Sequence, residues 1–146
     1  KSSLSKSHSP YYLMSGLAGN ARKQGRTAEA LSWYEQAYAK SVGPATRLQW
    51  GAAYFTALVE LAPTDAARIE KTAAQLIQEA GSQQGAFYER SARSMQRVGK
   101  LLATWNGQGQ HQAVVDRLRD QLAPVCAKLP AADAQKATCE SVLKKA

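Results

Sequence analysis

Between Leu17 and Ala37 the chain places small and aromatic residues at intervals that fit two helices joined by a tight turn. Ala18, next to Leu17, is followed seven residues later by Gly25, and then come Ala30, Tyr34 and Ala37. A glycine at that point ends a helix in the left-handed conformation, which costs other residues far more. Such a hairpin cannot bury its apolar face alone, so it must stack on further hairpins. The rest of the chain is therefore expected to supply them.

The apolar periodicity does so. A first helix is expected from Pro10 to about Gln24, and a second from Thr27 to Ser41 with Ala30, Leu31, Tyr34, Ala37 and Tyr38 inward. Gly43-Pro44 sets a helix stop beside a helix start. A third helix then runs from Pro44 to Ala62, burying Leu48, Gly51, Tyr54, Phe55, Leu58 and Leu61, with Trp50 partly buried. Pro63-Thr64-Asp65 opens a fourth, whose stripe is Ile69, Ala73, Leu76 and Ile77. A fifth spans Phe87 to Trp105, with Phe87, Ser91, Met95, Val98, Leu102 and Trp105 in one arc. A sixth carries Val114, Val115, Leu118, Leu122, Val125 and Leu129, and Pro124 inside it should kink or divide it. A short seventh runs from Ala132 to Lys144.

The expected fold is all-α: about seven helices in antiparallel hairpins, stacked as a short right-handed superhelix. Residues 1–9 are polar and read as a tail or linker, and 10–146 as one domain. The first two helices carry the spacing of a tetratricopeptide repeat most fully. The next pair keeps only its Gly51 and Tyr54 positions, and the last three depart from it as a terminal cap would. No apolar run approaches the roughly 20 residues of a membrane span. The chain begins at Lys1 and is read as a processed product or a piece of a longer polypeptide.

Nineteen basic residues against eleven acidic ones leave a net charge of +8. The plain reading is solubility, and the sharper one an anionic partner. Arg90, Arg93, Arg97 and Lys100 recur at spacings of three, four and three, opposite the apolar arc of the fifth helix. They form a basic stripe, read as either a solvated face or a docking strip for acidic groups. No aromatic residues interleave with it, which argues against single-stranded nucleic acid. Tyr12, Arg47 and Trp50 are the candidates for a groove that accepts a protein or peptide segment. Association of the chain with itself stays open.

Cys126 and Cys139 are the only cysteines, with twelve residues between them. They match neither a CxxC redox pair nor a zinc pattern. In a hairpin turning at Pro130 they come within about one helical turn, near 5 Å, of the same level. Hairpin geometry favours a disulfide and an oxidising compartment, and the alternative is two buried thiols. Catalytic signatures and cofactor motifs are not found. His8 and His111 lack a partner at motif spacing, and Gly107-Gln108-Gly109 lacks the third glycine of a dinucleotide loop. Ser141 to Lys144 matches SxxK without its companion motifs, and Asp116 and Asp120 lie among Arg117 and Arg119 as a solvated ion-pair cluster.

The run Gly43-Pro-Ala-Thr-Arg-Leu-Gln-Trp-Gly51, then Tyr54, Leu58 and Leu61-Ala-Pro63, ending in Ala67-Arg-Ile-Glu70, stands ahead of Cys126 and Cys139. Together these residues resemble the C-terminal helical region of exported bacterial thioredoxin-family proteins, over roughly Pro10 to Cys139. The resemblance implies a periplasmic setting, a disulfide, and a non-catalytic interaction or dimerisation role beside a covalently linked thioredoxin-like domain. The redox CxxC of that family has no counterpart here, so no catalytic residue carries over. Other readings are a stand-alone, cytoplasmic adaptor or chaperone and, less favoured, a basic nucleic-acid binder.

Overall fold

The computed structural model describes residues 25, 27–83, 87 and 89–143, with the backbone alone at Pro44, Glu89 and Arg90. Among them are six helices and no strand: α1 (Thr27–Lys40), α2 (Pro44–Leu61), α3 (Ala66–Gly81), α4 (Glu89–Asn106), α5 (Gln112–Ala127) and α6 (Ala134–Val142). Each coincides with an expected helix to within about two residues, the ordinary uncertainty of helix ends. The expected first helix and the 1–9 tail lie outside the described residues.

Local chemistry sets the helix ends. Gly43 has φ 97°, a conformation that suits glycine, and Pro44 follows in the first turn of α2. The Asp65 carboxylate accepts from the Arg68 backbone N–H at 3.2 Å and caps α3. Asp133 does the same for α6 through Gln135 N–H at 2.9 Å. Each cap satisfies a donor that the helix leaves open. After α4, Asn106 Oδ1 accepts from His111 N–H at 2.8 Å across a turn holding Gly107 and Gly109, both at positive φ. Pro124 neither ends nor divides α5, which continues to Ala127. It lies in the last turn, where its missing N–H removes a single ladder bond.

α2 is the centre of the fold. It packs against α1, α3 and α4, while α3 packs on α5, α4 on α6, and α5 on α6. The largest fully buried side chains follow that arrangement: Leu48, Phe55 and Leu58 from α2, Ile69, Leu76 and Ile77 from α3, Met95, Val98 and Leu102 from α4, and Leu118 from α5. Each contributes about 1.5–3 kcal/mol of burial. The expected arc is buried throughout, from Phe87, which precedes α4, through Ser91, Met95, Val98 and Leu102 to Trp105. Tyr34, Leu61, Val125 and Leu129 sit at the margin, half-buried. Trp50 is buried rather than partly so, because three neighbours cover α2.

Three glycines, Gly51, Gly81 and Gly99, mark close helix approaches. A Cβ on Gly51 would lie 2.3 Å from Leu76 Cδ2 and 2.9 Å from Tyr38 Cε1. Both obstacles are side chains that can shift, so Gly51→Ala is expected to cost about 1–3 kcal/mol. A urea midpoint lowered at constant m would show this, and an unchanged midpoint would mean that the α1–α2–α3 junction has slack.

Candidate functional site

Three surface regions carry grouped polar or charged side chains. The first joins α1, α2 and α3. Tyr38 of α1 donates its hydroxyl proton to Glu79 Oε2 of α3. Arg47 of α2 donates to both oxygens of the same carboxylate, Nε to Oε1 at 2.7 Å and Nη2 to Oε2 at 3.2 Å. Its guanidinium carbon stands 5.0 Å from the centroid of the Tyr38 ring, and Nη1 reaches the Tyr38 and Ser41 carbonyls. A second cluster repeats the composition with the helices exchanged. Tyr54 of α2 donates to Glu35 of α1 at 3.1 Å, and Arg68 of α3 donates to the Tyr54 oxygen at 2.8 Å. Each tyrosine–arginine–glutamate cluster thus takes one residue from each of three helices.

Tyr38 of the first cluster and Tyr54, Arg68 and Glu35 of the second line a cleft of about 700 Å³, together with Lys71 and Gln75. Their hydrogen bonds are directed at one another, so they rigidify the cleft wall more than they offer it to a ligand. Burial raises the Tyr38 hydroxyl pKa, with Glu79 adding to the rise. Burial also pushes the Glu79 carboxyl up, but the hydrogen bonds from Arg47 and Tyr38 and the Arg47 charge outweigh it, and the net shift is downward. A depressed carboxyl stabilises the fold above its unfolded pKa of about 4.3, and that contribution is lost as pH falls through the folded value. Glu79→Gln is therefore expected to lower stability near neutral pH and to flatten its decline in acid. Urea unfolding across a pH series checks this, and parallel profiles for the two proteins would remove Glu79 from the acid limb. Glu70, lowered mainly by its hydrogen bond from Arg117, contributes in the same window.

The second region is the basic stripe. Arg93, Arg97 and Lys100 all project from α4 as exposed side chains. Among the described residues none of the three forms an ion pair. Arg90 lies in the same helix, with its side chain outside the description. α4 is flanked by α2 and α6, so the stripe runs down the middle helix of that row.

The third region is the α5–α6 hairpin. Cys126 and Cys139 are joined in a disulfide with Cα atoms 5.5 Å apart, and both residues are buried. Beside it lies a cleft of about 630 Å³ with Leu122, Ala123, Cys126 and Leu143 on its walls, and charges from Asp116, Arg119, Lys136 and Glu140 around it. Arg119 donates to the Leu143 carbonyl at 2.5 Å and pairs with Asp116 at 3.3 Å. Arg117 turns the other way, to Glu70 of α3 at 2.7 Å.

The sequence candidates are therefore distributed over the molecule. Arg47 is held by Glu79, Trp50 is buried in the core, and Tyr12 lies outside the described residues, so Arg47 and Trp50 form no open groove together. Glu79, Glu35 and Arg68 had no sequence signal, because their partners stand up to 41 residues away in the chain. His111 precedes α5 and stacks on Trp105, ring centroids 3.6 Å apart. Trp105 in turn donates its indole N–H to the Pro63 carbonyl at 2.8 Å. Among the described residues no group of three or more His, Cys, Asp or Glu could hold a metal ion, and no helix is long and apolar enough to cross a membrane. Comparison of the chain with protein-family models, curated proteins and solved structures finds no match.

Proposed function

We propose that this chain is a non-catalytic protein-interaction module of tetratricopeptide-like build, a short right-handed stack of helical hairpins that presents a partner to a thioredoxin-like thiol-disulfide oxidoreductase. The observation that carries the reading is the neighbour pattern: α2 packs on α4, α3 on α5 and α4 on α6. Packing on the next helix but one is how stacked hairpins bury the stripe that each lacks a partner for. In such a stack the row α2, α4, α6 presents a continuous surface for a protein segment, and the row α1, α3, α5 backs it. The disulfide supports an oxidising, periplasmic compartment. The thioredoxin context rests on the resemblance of Gly43 to Glu70 and the two cysteines to the helical region of that family.

Two measurements test the reading. Peptides selected from a display library against the purified chain should perturb amide resonances of α2, α4 and α6 when titrated into labelled protein. Insulin reduction with dithiothreitol should proceed at the uncatalysed rate when the chain is added. Catalytic turnover of insulin disulfides, or ligands that perturb only α1, α3 and α5, would overturn it.

A further inference from the structure

The arginines whose side chains are described divide into two groups. Arg47, Arg68, Arg117 and Arg119 each lie within ion-pair distance of a carboxylate, at 2.7, 3.8, 2.7 and 3.3 Å. Arg93 and Arg97 are the other two whose side chains are described, and both stand on α4 with no ion pair among the described residues. The cause is in the sequence. Glu89 stands four positions before Arg93, but α4 has no other acidic residue, so nothing three or four positions along the helix offsets Arg97 or Lys100. The flanking helices add little: α2 carries Glu60 as its single acid, and α6 carries Glu140, which lines the cleft beside the disulfide. Like charges at helical spacing repel by a few tenths of a kcal/mol per pair. Among the described residues, this row is where arginine side chains stand without an ion pair.

Its dimensions select among anionic partners. From Arg93 to Lys100 the row extends about 10 Å along one helix. An extended peptide repeats its side chains on one face about every 6.7 Å, close to the advance of one helical turn, so alternate acidic residues would meet successive cations. Arginine also matches carboxylate by a two-pronged hydrogen bond. Nucleic acid presents a phosphate about every 1.7 Å and calls for a broader field or stacking aromatics, whereas the α4 aromatic, Trp105, is buried. An anionic membrane surface would favour apolar anchors beside the charge. Among the described residues the exposed large apolar side chain is Val42, in the α1–α2 turn.

We infer that Arg93, Arg97 and Lys100 form a docking strip for an acidic, extended segment of a partner protein. The inference rests on the interaction-module reading and specifies the chemistry of its ligand. The probe is a short fluorescein-labelled peptide of alternating glutamate and alanine, followed by fluorescence anisotropy at increasing NaCl. Binding is expected to weaken as salt rises, and Arg97→Glu or Arg93→Glu to reduce affinity about tenfold or more. Lys128→Glu, which reverses an exposed charge just after α5, should stay within about twofold of the parent. These positions are exposed, so unchanged thermal melting should confirm that each variant folds. Equal losses in Arg97→Glu and Lys128→Glu, or no binding of the peptide, would overturn the strip. So would Arg97-dependent binding of duplex DNA or phosphatidylglycerol vesicles without binding of the peptide. If library peptides lacking acidic residues still map to α2, α4 and α6, the interaction module stands and the acidic strip alone fails.

Discussion

Replacing Gly99 by alanine is expected to destabilise the protein by about 3 kcal/mol, the upper end of the usual penalty for overpacking. Helix propensity alone predicts the opposite sign, since alanine in a helix interior is about 1 kcal/mol better than glycine. Packing decides the matter. A Cβ on Gly99 would stand 1.8 Å from the Val142 carbonyl oxygen and 2.7 Å from its carbon. This obstacle is backbone, at the end of α6, and no rotamer change removes it. Nor can α6 withdraw freely, because Cys139 is tied to Cys126 and the Leu143 carbonyl accepts from Arg119 at 2.5 Å. Urea unfolding of Gly99→Ala tests the argument. The same substitution in a Cys126→Ala, Cys139→Ala background should cost less, since an untethered α6 can yield, and that difference is the coupling energy of a double-mutant cycle. A neutral or stabilising Gly99→Ala would mean that α6 does not press on α4.

Gly99 also shows where sequence reasoning runs out. In a helical run a lone glycine reads as a small local defect. Its purpose is visible only once Val142, far along the chain, lies across it. The helices themselves were legible because each repeats apolar residues at helical spacing. The arc from Phe87 to Trp105 and the α3 stripe of Ile69, Ala73, Leu76 and Ile77 are buried as periodicity requires. Trp50 was harder. Stripe arithmetic assumes one covered face, whereas α2 is covered by α1, α3 and α4, so residues off the main stripe are buried too. Arg47 shows the same limit from the polar side. Its charge suggested an open groove, but Glu79, 32 residues away, occupies both sides of its fork. The α4 stripe was legible in one respect alone: helical spacing aligned its cations. That Arg47, Arg68 and Arg117 find carboxylates on other helices, while Arg93 and Arg97 find none there among the described residues, is a tertiary fact.

Removing the disulfide is expected to cost about 3 kcal/mol, from the loop-entropy relation applied to a separation of 13 residues. The loss should fall unevenly. α6 has nine residues, too few to be stable as an isolated helix, and it is held by Val142 against Gly99, by the Arg119 bond to Leu143, and by Cys139. Opening the bond frees the one covalent hold, so α6 should lose amide protection before α2 or α3 does. Hydrogen exchange on the Cys126→Ala, Cys139→Ala protein reads the local effect, and urea unfolding reads the global one. A variant with the parent's midpoint and an equally protected α6 would make the crosslink incidental to the fold. The same bond bears on the proposed setting. Thiol titration of the denatured, unreduced native protein should find no free thiol, and two reactive thiols would take away the crosslink and, with it, the main physical support for an oxidising compartment. A chain that loses about 3 kcal/mol on reduction, out of the 5–15 kcal/mol that folded domains typically hold, keeps its terminal helix docked best where thiols stay oxidised.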